Sequence, residues 1–285
     1  MKKFTFLLFL LLVNPTGHTD DKVKKPVVVA SIKPLALIAR DLAGDWLQIQ
    51  TLLADNQEPH HVSLSISQRR KVQESDLVLW VSPHLETFLV KLLAPLEKQK
   101  LLSFQETLPA NMAQLYDHDF HYWLAPDLAT GFYRAVADRL KILFPEQQEN
   151  IDRQLEKKLL ELSAASNKIE SILSAYSGQA LIVDHQAYGY FTEAYNVNVK
   201  GALVDESGVP VGPRTMASLA DHDDISCIAV ERLPPSRRAA KMAAIVDTRI
   251  VAIDPLGLAI GDERGYVALL DSVAKGFASC FHSSE

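Results

Sequence analysis

The chain has 285 residues, of which 48% are hydrophobic and 22% charged, with a formal net charge of −6. This length and composition fit one large or two ordinary globular domains with a sizeable core. The negative charge argues against nucleic acid as a partner, because nucleic-acid binding needs a basic surface. After the first twenty residues, no uninterrupted apolar run is long enough to span a bilayer.

Residues 1–19 are predicted to be a secretory signal peptide. A basic start, Lys2 and Lys3, precedes the apolar run from Phe4 to Val13, which is too short for a spanning helix but suits a signal peptide. Cleavage is expected between Thr16 and Thr19, and it would take the net charge to about −8. No cysteine lies near this site, so a lipid anchor is not expected. The sequence therefore predicts an exported protein.

Residues 26–143 alternate short apolar strands with amphipathic helices and are predicted to form an N-terminal lobe. Strands are predicted at 26–32, 46–53, 76–82 and 101–104, and helices at 34–42, 66–74, 85–93 and 126–143. This alternation predicts a mostly parallel sheet with helices on both faces.

Residues 145–177 are predicted to be one long rigid helix that connects two lobes. Apolar residues recur in steps of three and four with one gap, at 151, 155, 159, 162, 169, 173 and 176, which is the pattern of an amphipathic helix. Pro145 suits a helix start and Gly178 a helix stop. The helix would extend about 46 Å at about 1.5 Å per residue. An isolated coiled-coil arm is the alternative, but both flanking regions have globular patterns.

Residues 179–285 repeat the alternating plan, without a repeat at the level of residues, and are predicted to form a C-terminal lobe. Strands are predicted at 179–183, at 197–203 and within SCIAVERLP and RIVAIDPLG, and helices at 188–195 and 264–281. The predicted fold class is therefore α/β, with two lobes that each hold a mostly parallel sheet flanked by helices.

The two cysteines, Cys227 and Cys280, both lie in the predicted C-terminal lobe. In an exported protein an even pair is most simply a disulfide. Closing a loop of about 54 residues would stabilise the fold by about 4 kcal/mol in the chain-entropy model. Two metal-binding thiolates are the alternative, although the spacing lacks the short Cys-x-x-Cys pattern of metal sites.

Four polar residues lie where the ligand crevice of such sheets forms, beyond the carboxyl ends of the strands. His60 and His121 lie in loops of the first half, whereas His185 and Asp254 come directly after strands of the second half. A single loop histidine is more often a solvated side chain, so the joint placement carries the argument. Neutral imidazoles with one carboxylate suit four-coordinate Zn²⁺, whereas Mn²⁺ takes more oxygen ligands.

Four segments resemble the metal-binding subunits of bacterial ABC uptake systems, the cluster A-I family, and most closely its periplasmic zinc-binding ZnuA type. They are EPHHVSLSISQ with the following ESDLVLWVSPHLETFL, then DFHYWLAPD, VDHQAYGYF and IDPLG. The resemblance covers nearly all of the chain after the predicted signal peptide. The cysteine pair also resembles the disulfide of zinc-specific members.

The resemblance implies that His60, His121 and His185 are three histidine ligands and that Asp254 occupies the acidic position. In zinc-specific members, water or a glutamate next to the first histidine can take that place, and Glu58 is the candidate here. His61 stands beside His60, so a register shifted by one residue is an alternative.

The chain departs from the family pattern in two places. Zinc members carry a long His-rich, acidic loop before the second ligand, where this chain has only AQLYDHDFH. Gln186 stands where an acidic residue often follows the third histidine.

The resemblance implies a high-affinity periplasmic Zn²⁺-binding protein, not an enzyme, that captures the ion between its lobes. It would act as a monomer and deliver zinc to the membrane permease of an ABC importer, and a periplasmic metallochaperone is a further candidate partner. One alternative is the same fold with manganese or another divalent metal. A zinc hydrolase is the other, with Glu58 as its only obvious general base. Because a continuous helix resists bending, we expect binding to move loops and not to close a wide hinge.

Overall fold

The computed structural model describes residues 25–55, 57, 59–60, 62–110 and 119–282, and its strands form two four-stranded parallel sheets. The first sheet has the order β2-β1-β3-β4 and the second has the order β6-β5-β7-β8. The first four strands are β1 (Val27–Ala30), β2 (Gln48–Thr51), β3 (Leu77–Trp80) and β4 (Leu101–Ser103). The second four are β5 (Ala180–His185), β6 (Asn198–Val204), β7 (Ile225–Val230) and β8 (Arg249–Ala252). The predicted two-lobed α/β fold is confirmed.

The helices that flank these sheets are listed here in chain order. They are α1 (Lys33–Ala43), α2 (Ile66–Glu74), α3 (Thr87–Leu93), α4 (Pro126–Leu143), α5 (Gln148–Leu173), α6 (Gly189–Ala194), α7 (Pro213–Ala220), α8 (Arg237–Ile245) and α9 (Gly265–Phe281). No helix was predicted from the sequence at α7 or α8. Both carry start signals, since Pro213 opens α7 and the Ser236 side chain accepts from the backbone N–H of Ala239 at the start of α8.

Both sheets have the same strand order, and this order creates a crevice in each. The chain passes from the first strand to one side of the sheet and then crosses to the other side, so the switch points lie between β1 and β3 and between β5 and β7. In open parallel sheets, ligands bind beyond the carboxyl ends of strands at such points. The central strands are apolar on both faces because helices cover both, and Val28, Val29 and Leu79 have no exposed surface.

The long helix α5 lies between the two sheets in the chain and has 26 residues, which corresponds to about 39 Å. The predicted long helix is confirmed, and helical structure runs without a break from Pro145 to Tyr176. The flanking segments Pro145–Gln147 and Ser174–Tyr176 are 3₁₀ turns, a common form at helix ends. Ile151, Leu162 and Ile169 of the predicted apolar pattern are buried.

Helix α9 connects the C-terminal sheet to the rest of the molecule by packing against β7, α5 and α1. A single apolar core accordingly includes residues of both lobes. The division of the chain into lobes at 143 and 179 stays a prediction. The predicted disulfide is present and joins Cys227 of β7 to Cys280 of α9, both fully buried.

The predicted signal peptide, residues 1–19, lies outside the described residues. Among the residues that are described, no helix combines the length and apolarity needed to cross a bilayer.

Candidate metal centre

Three histidines from distant parts of the chain meet between the two lobes. His60, His121 and His185 each offer a ring nitrogen, and these atoms lie within 4.8 Å of one another. Their ring centroids are 5.1–5.7 Å apart. Imidazoles around one tetrahedral Zn²⁺ would have their nitrogens about 3.4 Å apart, given Zn–N bonds of about 2.1 Å. The three nitrogens are therefore close enough together to be candidate ligands of a single ion.

His121 is held by a carboxylate two residues before it. Asp119 Oδ1 lies 2.8 Å from His121 Nδ1 and also accepts the backbone N–H of His121 at 2.9 Å. Both side chains are buried, with exposures of 4% for His121 and 5% for Asp119. A carboxylate on Nδ1 fixes the tautomer and ring orientation of a metal-binding histidine. Nε2 of His121 is then the nitrogen that faces the other two histidines.

His185 is the last residue of β5, and its ring meets a second carboxylate. Glu231, the first residue after β7, places Oε1 2.7 Å from His185 Nδ1. Burial raises the pKa of Glu231, but the hydrogen bond from His185 and the charges of His185, His121 and His60 outweigh it and lower that pKa overall. Two of the three imidazoles, those of His121 and His185, thus each have a carboxylate against Nδ1. Neither carboxylate belongs to the group of three nitrogens.

The C-terminal lobe also supports the segment that carries His121. Tyr190 Oη donates to the backbone oxygen of Asp119 at 3.1 Å. Gly189, the first residue of α6, packs so closely that a Cβ there would lie 2.6 Å from Asp119 Oδ2. Only glycine leaves room for the carboxylate at this point.

A small pocket opens at the histidine cluster. Its cavity volume is about 80 Å³, and its lining includes His121, His185, Glu231, Arg232 and Asp254. Since one water needs at least about 10–15 Å³ of such volume, the cavity can hold an ion with a few waters.

A comparison of the sequence with family models now decides the family. The model of the zinc-uptake complex component A, periplasmic (ZnuA), matches residues 28–280. The chain belongs to the ZnuA family. The resemblance inferred from four sequence segments is confirmed, and zinc is the ion named for this family.

Relatives of the ZnuA family match over nearly the whole chain. The high-affinity zinc uptake system protein ZnuA of Yersinia pestis is 27% identical, with 95% of this chain and 94% of that protein covered. The protein of the same name from Haemophilus ducreyi is 25% identical, with 98% of each covered. Among solved structures, the periplasmic zinc-binding protein TroA of Treponema pallidum has a TM-score of 0.81 at 21% identity. That match covers 91% of this chain and all of the TroA chain, and it supports the fold.

Asp254, predicted as the acidic ligand, lines the pocket but is not part of the three-nitrogen cluster. Its carboxylate accepts backbone N–H groups of its own loop instead. Oδ1 accepts from Leu256 and Gly257 at 2.9 and 3.0 Å, and Oδ2 accepts from Leu258 at 2.5 Å. A direct bond from Asp254 to a metal stays a prediction, and the structure places its carboxylate at the base of the loop that closes the pocket.

Glu58 and His61 lie outside the described residues, as does the part of AQLYDHDFH before Asp119. The alternative acidic ligand, the shifted register and a second metal site in that loop therefore stay predictions.

Sequence reasoning missed Asp119 and Glu231, the two carboxylates that hold the histidines. Glu231 was within reach of the rule that selected His185 and Asp254, because it directly follows a buried strand. Glu231 gives His185 an acidic partner, whereas Gln186 occupies the position where the family pattern often has an acidic residue. Asp119 has only its spacing of two from His121 as a signal.

Proposed function

We propose that this protein captures Zn²⁺ in the periplasm with high affinity and delivers it to the permease of an ABC importer. The observation that carries the proposal is the convergence of His60, His121 and His185 from the two lobes on one point. Membership of the ZnuA family supports zinc as the ion and uptake as the process. The protein would bind and release its cargo without chemical turnover.

Ligands from two lobes suit a site that must both hold and release an ion. A small displacement of one lobe changes several metal–nitrogen distances at once. Zinc binds neutral imidazole, so protons compete with the metal. We therefore expect zinc affinity to fall as the pH drops through the range in which histidine is protonated.

The ligand set is tested by replacing each histidine with alanine and titrating zinc against a competing chelator. We expect His60→Ala, His121→Ala and His185→Ala each to weaken binding by more than the roughly 10–100-fold typical of losing an outer partner of a ligand. His222→Ala, in a loop remote from the cluster in sequence, is the matched control and should bind like the unmodified protein. Loss of binding in His61→Ala with retention in His60→Ala would overturn the assignment of the first ligand.

The identity of the ion is tested by metal analysis of protein purified without chelator. Three imidazole nitrogens favour zinc over manganese, which prefers more carboxylate and water oxygens. We expect zinc to be the bound metal at close to one ion per chain. Manganese at that ratio would support the alternative cargo.

Delivery and export are tested in cells. We propose that residues 1–19 direct export and are removed, and that the mature monomer meets its permease in the periplasm; a metallochaperone is a further candidate partner. In a bacterium that lacks its own zinc-binding subunit, the full chain should restore growth under zinc limitation, and a chain without residues 1–19 should not. Equal growth with both chains would contradict export through this segment.

We also propose that zinc binding moves loops and leaves the two lobes in place. Several cross-lobe hydrogen bonds support this. Lys33 Nζ donates to the backbone oxygens of Leu258 and Ile260 at 3.0 and 2.6 Å, and Trp123 Nε1 donates to that of Pro255 at 2.8 Å. X-ray scattering with and without zinc should give nearly the same radius of gyration. A large change would refute the proposal.

A further inference from the structure

Glu86, a carboxyl group of the N-terminal lobe, is fully buried at the switch point of the first sheet and takes no part in the histidine cluster. It lies in the turn after β3 and has no exposed surface. Its Oε2 accepts the backbone N–H of Val81 at 2.6 Å and of Ser82 at 3.1 Å. Glu86 therefore fixes the turn through which the chain leaves β3.

The Glu86 carboxyl also neighbours the hydroxyl of Ser31, a buried residue just after β1. Within the described ranges, neither Glu86 Oε1 nor Ser31 Oγ has a partner that meets the geometry of a hydrogen bond. A hydroxyl can donate to an ionised carboxylate or accept from a protonated one. The contact with Ser31 is therefore compatible with either an ionised or a protonated Glu86.

The surroundings of Glu86 decide this charge. Among the described residues, the groups that act on the carboxyl are the Ser31 hydroxyl and the N–H groups of Val81 and Ser82, and none of these is a charged side chain. Burying a carboxylate without a cation is costly. Burial raises the pKa of Glu86 to about 7, although the three neighbouring groups act in the opposite direction. Burial without a cation therefore favours the neutral acid below about pH 7.

Two contacts connect the Glu86 site to the segments that carry zinc ligands. The backbone oxygen of Ser31 accepts the N–H of Leu53 at 3.1 Å, where the chain leaves β2 toward His60. In the turn itself, the His84 ring stacks on Phe120 with centroids 5.8 Å apart and planes 12° from parallel. Phe120 directly precedes His121. The segment that leads to His60 therefore contacts Ser31, and the segment that carries His121 contacts His84 in the turn that Glu86 fixes.

We propose that Glu86 is a positioning residue, a proton-bearing carboxylic acid that holds the turn after β3 in the arrangement on which the His60 and His121 segments depend. Its effect on binding rests on the proposed zinc site. Its protonation can be tested without zinc.

The sign of the pH dependence follows from linkage. The folded chain holds the proton more tightly than the unfolded chain, with a pKa of about 7 against 4.5. The stability associated with this proton is fully present below the unfolded pKa and is lost as the pH rises through about 7. A neutral isostere at position 86 should therefore gain stability over glutamate as the pH rises.

The first test measures urea unfolding of the zinc-free protein at pH 5 and pH 8.5. Glu86→Gln keeps an acceptor for two N–H groups and a donor toward Ser31 but cannot ionise. Relative to the unmodified protein, its folded-to-unfolded ratio should rise on the order of a hundredfold between the two pH values. Glu156→Gln, on an exposed glutamate of α5, should show no such rise. If the relative stability of Glu86→Gln does not rise between pH 5 and pH 8.5, Glu86 is not protonated in the folded chain and the proposal is overturned.

The second test measures zinc affinity at pH 6.5. Glu86→Gln should bind like the unmodified protein, whereas Glu86→Leu, which leaves the N–H groups of Val81 and Ser82 unpaired, should bind about tenfold or more weakly. Equal weakening by Gln and Leu, or no effect of Leu in a folded protein, would overturn the positioning role. If the unmodified protein itself bound no zinc, the proposed function would fail, and urea unfolding would still decide the protonation of Glu86.

Discussion

The two lobes share one strand order but place different chemistry at their switch points. In the C-terminal lobe, the ends of β5 and β7 carry a histidine of the three-nitrogen cluster and its carboxylate, His185 and Glu231. In the N-terminal lobe, Ser31 directly after β1 and Glu86 in the turn after β3 are buried, and neither belongs to the three-nitrogen cluster. In the C-terminal lobe the candidate ligand His185 belongs to a strand of the sheet. In the N-terminal lobe the candidate ligands His60 and His121 lie in loops outside the sheet.

This difference means that the lobes depend on different contacts. His185 is positioned by strand pairing, and its lobe contains the Cys227–Cys280 disulfide. His121 is positioned by Asp119 and by Tyr190 from the opposite lobe. His185 is therefore positioned within its own lobe, whereas the segment of His121 also depends on a contact from the opposite lobe.

The largest expected effect tests the independence of the C-terminal ligand. Replacing both Cys227 and Cys280 with alanine should lower the free energy of unfolding by about 4 kcal/mol, measured by urea denaturation. Zinc affinity of the folded variant should change little, because β5 holds His185 through its hydrogen bonds to β6 and β7. A loss of affinity as large as that of a ligand variant would show that the disulfide, and not the sheet, positions the site.

The next effect compares the two carboxylates that hold the histidines. Asp119→Asn and Glu231→Gln each replace an acceptor on a ligand's Nδ1, a change that typically weakens metal binding about 10–100-fold. We expect Asp119→Asn to weaken zinc binding more than Glu231→Gln does, because Asp119 is 5% exposed and also accepts the backbone N–H of His121. Glu231 is 37% exposed, so water can replace part of its role. A chelator competition titration of both variants measures the order, and the reverse order would contradict the comparison.

The smallest effect concerns the pH dependence of the metal-free protein. The pKa of Glu231 is lowered in the folded chain by its hydrogen bond from His185 and by the neighbouring histidines. Its contribution to stability is therefore present above the unfolded pKa of about 4.5 and is lost as the pH falls through the lower, folded value. The stability difference between the unmodified protein and Glu231→Gln should shrink below about pH 4.5 in urea unfolding series. A difference that grows on acidification would contradict the lowered pKa.

The sequence by itself determined the fold class and the histidine set. Apolar runs identified the eight strands, and a repeat of three to four residues identified the long helix and most other helices, because buried surface leaves both patterns in the sequence. No helix was predicted at α7 or α8, although Pro213 and Ser236 mark their starts. The three histidines were identifiable because they fall in loops beyond strand ends or before a helix, where parallel sheets form crevices.

Only the tertiary structure decided which carboxylate does what. Asp254, Glu231 and Glu86 all lie in segments that follow strands, and the local sequence does not show which of them faces the histidine cluster. Hydrogen bonding separates them. Asp254 is engaged by the amides of its own loop, Glu231 by the ring of His185 from the neighbouring strand, and Glu86 by the amides of the turn after β3. These partners come together only when the strands pair and the lobes pack, so no spacing along the chain could have assigned them.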